Sequence, residues 1–376
     1  MKLQVNCIVG QTKTGRFEDT ISYFENLNKE PLSYFGYSSP FSEKLNVVYS
    51  FNKIKKKEIN INLLKIFKFS KILTVFSFFL TVLLIFLFGF KVNNKKIFAI
   101  SAFGSLICII KNIFFCKNKI YYYCLDYYLY VSNKDIYDKL FSKIFQIIDL
   151  YLCKNCDAVF DITKRISKLR NNINNIDIKA YELNLGYSNL ILDKKITKKK
   201  KNCLIFFGTH SANQDLNLIL NIFEKFNDFS SYDLIICGHG PETNNFKKIC
   251  RSSKYSDKIN FLGFVEDYKL LQLIQISKFS FGLWKLSKND NSFYADPGKV
   301  KLSILLGTPC IMSNHIFSYD IFGNKCGPVI SCNSFGDIDF QKFFIDETNY
   351  KSYIDNCDNY IGECIINSHF DKYTKN

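Results

Sequence analysis

Short apolar runs ending in glycine or aspartate alternate with stretches of helical spacing along most of this chain. No other feature limits the fold as much. A buried run followed by roughly 10–20 residues of helix returns to a neighbouring strand by a crossover, and repeated crossovers build a parallel sheet covered on both faces. In the first half, strands are expected at 2–10, 32–37, 46–51, 97–102, 119–125 and 158–162. Helices are expected at 19–27, 103–115, 135–153 and 163–170, the last capped by Thr163. The second half repeats the pattern, with strands at 203–207, 234–237, 259–262, 279–283, 309–312 and 329–331. Its helices are expected at 214–226, 242–251, 267–276 and 299–306.

At 376 residues the chain can hold two α/β domains with a core in each. The lysine-rich stretch before residue 202 marks the boundary. The expected division is an N-terminal domain at 1–193, a basic linker at 194–201, a second domain at 202–345 and a helical tail at 346–376.

Aromatic residues at 16% and charged residues at 22% exclude a disordered chain. The net charge of +16 calls for an anionic partner: a phosphorylated substrate, an anionic lipid surface or nucleic acid. The chain has neither the basic–aromatic motif of an RNA-binding sheet nor a Cys/His finger spacing, so nucleic acid is not expected. The 14 cysteines are scattered, several inside apolar runs, as in reduced cytosolic proteins. Cys153 and Cys156 form a single CxxC on one helix face, and the four histidines are dispersed, so no metal site is expected. The strand-like opening does not have the form of a signal peptide.

One stretch stands apart. The lysines of 53–57, then Lys65, Lys68 and Lys71, precede the 19 uncharged residues of 72–90. Three readings fit: a monotopic helix in the membrane interface with its lysines on anionic headgroups, an apolar helix buried in the first domain, or a transmembrane span. A span would put strands of one sheet on opposite sides of a bilayer, and lysines flank both of its ends.

The chemistry concentrates at 295–311. Pro297 and Gly298 mark a turn, a short apolar helix follows, Gly307 ends it, and Pro309 opens a buried strand. A helix whose first turn carries Gly298 and Lys299 offers backbone N–H groups, a positive dipole end and a cation, the parts needed to hold a diphosphate. Gly208, Gly238, Gly240 and Gly263 lie at or just after strand ends, where backbone can approach a phosphate or a base. Each alone also fits an ordinary turn. In the first half, Gly10, Gly15 and Arg16 form a first strand-to-helix loop that fits a phosphate or acceptor, or a plain turn. Asp126 is the carboxylate directly at the end of a buried strand. It fits a base for an acceptor hydroxyl or a cap on the next turn.

In order and spacing, Phe206-Phe-Gly-Thr-His210, Cys237-Gly-His-Gly-Pro-Glu242, Phe261-Leu-Gly-Phe-Val265 and Pro297-x-Lys299…Gly307-Thr-Pro309 resemble the C-terminal half of family 4 retaining glycosyltransferases. The resemblance covers roughly residues 100–335. It implies the GT-B fold, two Rossmann-like doubly wound domains facing across a cleft, here with an apolar helix in the first. It implies a nucleotide-sugar donor held by Gly208, Thr209, Gly238, Gly240, Gly263, Val265, Asp296 and Lys299, with Asp290 a further candidate for donor hydroxyls. It also implies Asp126 as the catalytic residue, no metal, and transfer to a glycan or lipid-linked acceptor at the cytoplasmic membrane face. Leu302 stands where the family usually has a glutamate on the donor, and Leu185 splits the family's Asn-Gly pair into Asn184 and Gly186. A non-catalytic GT-B protein of the membrane surface and a nucleotide-sugar epimerase are the alternatives.

Overall fold

The computed structural model describes residues 3–11, 16–28, 32–38, 45–51, 54–61, 71–129, 136–188, 191–192, 200–286, 291–331 and 339–374. The chain forms two compact units, Met1–Ser188 with His369–Asn376, and Asn189–Ser368.

The first unit is built on eight strands: β1 (Cys7–Gln11), β2 (Ser33–Tyr37), β3 (Leu45–Phe51), β4 (Ile54–Ile61), β5 (Lys96–Ile100), β6 (Lys119–Cys124), β7 (Ala158–Asp161) and β8 (Tyr181–Glu182), in the order β4-β3-β2-β1-β5-β6-β7-β8. Strands β2, β1, β5, β6, β7 and β8 are parallel, as the crossover pattern requires. The edge is not: β3 and β4 pair antiparallel to β2 and to each other. The lysines of 55–57 therefore lie in strand β4, which the reading of that run as a basic lead-in to an apolar helix missed. Charge concealed this strand, because a strand on a sheet edge needs no apolar pattern and lysines there discourage further pairing.

The apolar segment is not one continuous helix. An α-helix at Lys71–Leu84 passes into a π turn at Ile85–Gly89. Among the described residues no helix is long and apolar enough to cross a membrane. Phe78, Val82, Phe86 and Phe90 are buried, with rings against Phe35, Tyr37 and Tyr49 of the sheet. The opposite face keeps Leu80, Leu84 and Phe88 exposed. The segment ends where Lys111, buried on the helix Ser101–Phe114, donates to the carbonyls of Phe86 (2.7 Å), Leu87 (3.2 Å) and Phe90. The ammonium satisfies the helix-end carbonyls.

A buried polar network ties β6 and β7 to the helices beyond them. Arg170, fully buried, reaches Asp149 through Nε (2.7 Å) and Asp161 through both terminal nitrogens (2.7 Å each). Tyr122 donates to Asp149 (2.7 Å) and Ser167 to Asp161 (2.6 Å). Thr163 caps the helix Lys164–Asn174 by accepting from the Ile166 N–H, as expected. The last helix, Ile366–Thr374, brings Phe370 against Tyr23, Phe24 and Phe98 in this unit's core.

The second unit carries six parallel strands: β9 (Lys201–Phe207), β10 (Asp233–Cys237), β11 (Ile259–Gly263), β12 (Ser277–Gly282), β13 (Cys310–Ser313) and β14 (Val329–Ile330), in the order β11-β10-β9-β12-β13-β14. This is the doubly wound nucleotide-binding order, and it reverses between β9 and β12. A core of Leu204, Phe206, Ile219, Phe223, Phe226 and Phe279 lies under the helix Leu216–Phe229. Position 307, at φ +69°, ends the helix Gly298–Leu305.

Candidate functional site

In a doubly wound sheet, crossovers diverge at the point where strand order reverses, and the strand carboxyl ends there are left open to a ligand. In the second unit that point is the end of β9 beside the end of β12. The loop after β9 is laced to the segment after β12 by backbone bonds: Asp215 N–H to Leu283 O (3.2 Å) and Lys285 N–H to Asn213 O (2.9 Å). Asp215 then caps the helix Leu216–Phe229 through its side chain.

Lys299, in the first turn of the helix Gly298–Leu305, is directed onto this point. Its ammonium donates to Gln214 Oε1 (3.0 Å) and lies 4.5 Å from the ring centre of Phe206 and 4.9 Å from that of Trp284. Two aromatic faces attract a cation without neutralising it. Burial pushes its pKa down to about 7. Its stem passes over Gly208: a side-chain carbon built there would stand 3.5 Å from Lys299 Cε and Nζ.

The neighbouring strand ends are tightly knit. Gly208 N–H donates to Cys237 O (3.1 Å), Gly238 N–H to Gly263 O (2.7 Å) and Gly240 N–H to Thr243 Oγ1 (2.8 Å). These glycines therefore supply space, not donors. At Gly238 (φ +115°) a side-chain carbon would fall 2.0 Å from Gly208 O, so only glycine fits. Thr243 Oγ1, which accepts from Gly240, also shares a hydrogen bond with His210 Nδ1 (2.9 Å). His210 is fully buried against Phe206 and Phe246, and burial lowers its pKa.

The other expected donor residues divide. Thr209 is exposed beside Gly208, and Val265 is half-buried after β11, next to the exposed Phe264. Asp296 faces inward: its carboxylate meets Lys301 at 2.6 Å, both side chains fully buried, and fastens the turn before the helix. Leu302 is buried in that helix. Asp290 lies outside the described residues.

In the first unit the equivalent reversal lies between β1 and β5. Gly10 is there, but Ile100 and Phe17 carbons stand 3.0 Å from where its side chain would begin, so its small size serves packing. Gly15 falls outside the described residues, and Arg16 begins the helix Arg16–Leu27. Ser101, at φ +79°, opens the next helix with its hydroxyl 3.2 Å from the Tyr37 hydroxyl. Strain of that kind in a non-glycine residue collects at functional positions. Asp126 is half-buried just after β6, and its main-chain carbonyl accepts from the Cys124 thiol at 3.4 Å.

Sequence reasoning named Phe206 and His210 only as the ends of a motif, and it missed Gln214, Trp284, Thr243 and Ser101. The signals were present but weak: one tryptophan in the chain, one residue past a predicted strand, and a glutamine where a loop turns into a helix.

Comparison with known proteins accords with this geometry. Residues 189–281 match the family described as Glycosyl transferases group 1. No curated protein sequence matches the chain. Among solved structures, an α,α-trehalose-phosphate synthase (UDP-forming) from Burkholderia vietnamiensis is 8% identical, with 99% of this chain and 97% of that one covered and a TM-score of 0.68. Anabaena HepE, solved with UDP and glucose, is 10% identical with 99% of each chain covered and a TM-score of 0.62. S. aureus TarM, solved as a variant with fondaparinux, alpha-GlcNAc-glycerol and UDP, is 11% identical with 89% of this chain covered and a TM-score of 0.57. The chain spans 64% of that protein's length. The two sheets and the strand order of the second define the fold, that of GT-B proteins, and residues 189–281 carry the likeness to Glycosyl transferases group 1.

Proposed function

We propose that the protein transfers a sugar from a nucleoside-diphosphate sugar to a glycan or lipid-linked acceptor at the cytoplasmic membrane face, in cell-surface polysaccharide or glycolipid synthesis. The observation that carries this is Lys299, a cation held at the switch point of the second sheet by two rings and an amide, with no carboxylate partner among the described residues. The counter-charge such a site lacks is what a diphosphate brings. The first turn of the helix adds the Gly298 and Lys299 N–H groups and the positive end of its dipole. As the glycosidic bond breaks, negative charge grows on the leaving diphosphate, and preorganised positive charge there lowers the barrier. Asp126 takes the proton of the acceptor hydroxyl.

No metal is needed on this reading, because Lys299 and the helix supply the positive charge. The burial of Leu302, where the family usually presents a glutamate, favours a second reading as a non-catalytic GT-B protein. A thermal-shift screen against UDP-, GDP-, TDP- and CMP-sugars followed by a nucleotide-release assay tests both. Protection with turnover supports the transferase. Protection without turnover supports the second reading, and absence of protection by every donor refutes the site.

A further inference from the structure

The proposed membrane acceptor raises the question of which surface meets the bilayer, and one of the three sequence readings laid 72–90 in the membrane interface as a single helix. The structure distributes the exposed apolar surface differently. Three helices of the first unit form a row: Lys71–Leu84 with its π turn, Ser101–Phe114 and Ile136–Asn155. Phe79 packs edge-on against Phe103 (5.0 Å) and Phe88 against Phe115 (6.1 Å), joining the first two, and the third packs on the second. The row is apolar outside as well as inside. Phe88 is 72% exposed, Phe114 68% and Ile147 62%, and Leu84, Phe115 and Ile144 are exposed beside them. Exposed apolar residues scattered singly need no explanation, but so many on three helices packed in succession do.

Lysines dominate the charges of this face, although Asp138 on the third helix and Asp157 just after it are exposed as well. Every charged residue between Glu58 and Asp126 is a lysine. Lys91 and Lys117 are exposed on the loops that flank the Phe88–Phe115 tip, and Lys143 on the third helix. An open hollow of about 380 Å³ at this tip sets Asn93, Asn94, Asn112 and Lys117 beside Ile113, Phe114 and Phe115, so hydrogen-bonding groups and a cation adjoin the apolar surface. A second copy of the chain is a poor occupant, because a self-complementary contact would bring these lysines against their own equivalents. An anionic bilayer matches both halves of the pattern: acyl chains take the aromatic and aliphatic tip, and headgroup phosphates take the lysines.

We infer that the outward face of these three helices, led by the Phe88–Phe114–Phe115 tip, is a docking surface for an anionic lipid bilayer. The inference rests on the membrane acceptor proposed above. It replaces a single inserted helix with a composite surface whose apolar segment stays half in the core.

The test is co-sedimentation of the full chain with phosphatidylcholine vesicles with and without phosphatidylglycerol. Binding is expected to the phosphatidylglycerol-containing vesicles and to fall as salt is raised. Phe88→Glu with Phe114→Glu lowers partition by roughly tenfold or more. Ile147→Glu, on the third helix, lowers it independently, and Lys91→Glu with Lys117→Glu removes the preference for anionic lipid. All these side chains are exposed, so the thermal midpoint and protection by nucleotide sugar stay at wild-type values. Equal binding to both vesicle types, wild-type binding by the glutamate variants, or a solution dimer that the same variants dissociate would each overturn the inference. Protection by a nucleotide sugar without vesicle binding refutes this surface alone. Vesicle binding without protection by any nucleotide sugar refutes the donor site and leaves the surface standing.

Discussion

Replacing Lys299 with methionine separates the two consequences of holding a cation where this one is held. Burial between Phe206 and Trp284 pushes its pKa from 10.5 to about 7. That drop corresponds to roughly 4–5 kcal/mol against the ammonium form. Lys299 keeps partial exposure, so water screens much of it, and about 1–2 kcal/mol is the expected size. The unfolded chain holds this proton up to 10.5, while the folded chain releases it above about 7. Stability therefore rises with pH across that window, and the penalty is fully present below 7. Methionine fills similar space without charge. The variant is expected to melt on the order of 2–8 °C above the wild type at pH 6, with the gap closing as pH approaches 10. Donor binding moves the other way. A charge-assisted bond to a diphosphate is worth roughly 1.5–3 kcal/mol, so the variant's nucleotide-sugar affinity falls about 10- to 150-fold. Thermal shift across pH, with and without the protecting nucleotide sugar, reads both effects. A Met variant that binds donor like the wild type, or melts lower at pH 6, would refute the reasoning.

Three further outcomes follow from the geometry. Gly238→Ala places a methyl group 2.0 Å from Gly208 O and forces the strand ends apart, so donor protection is lost; Gly263→Ala, at φ +64° with open space around it, costs only about 1 kcal/mol and keeps it. Arg170→Met leaves Asp149 and Asp161 buried without their counter-charge, lowering stability by about 3–5 kcal/mol in denaturant titration, and Asp149→Asn with Asp161→Asn in the same chain recovers part of the loss. Asp126→Asn retains protection by nucleotide sugar while transfer falls by roughly 100-fold or more; retained transfer would remove Asp126 as the base.

The alternation of strands and helices was legible because a buried parallel strand reads as an apolar run and its crossover helix reads at a period of 3.6. All six strands of the second unit, and the glycine-bounded helix at 298–305, were visible for that reason. Strand β4 was hidden because its lysines lie on an edge, where a strand needs no apolar pattern.

Residue types and order alone determined that the chain is α/β, that its second half offers glycines and a lysine at strand ends, and that one segment is too apolar for a typical surface helix. Tertiary structure decided what those residues do. It engaged the glycine N–H groups internally and turned Asp296 onto Lys301. It enclosed Lys299 with Phe206, Gln214 and Trp284, which lie far apart in sequence. It also divided the side chains of 78–90 between the core and an exposed face. Local sequence sets which conformations are inexpensive; crossovers between distant strands set which side chains meet, and no period in the chain records that.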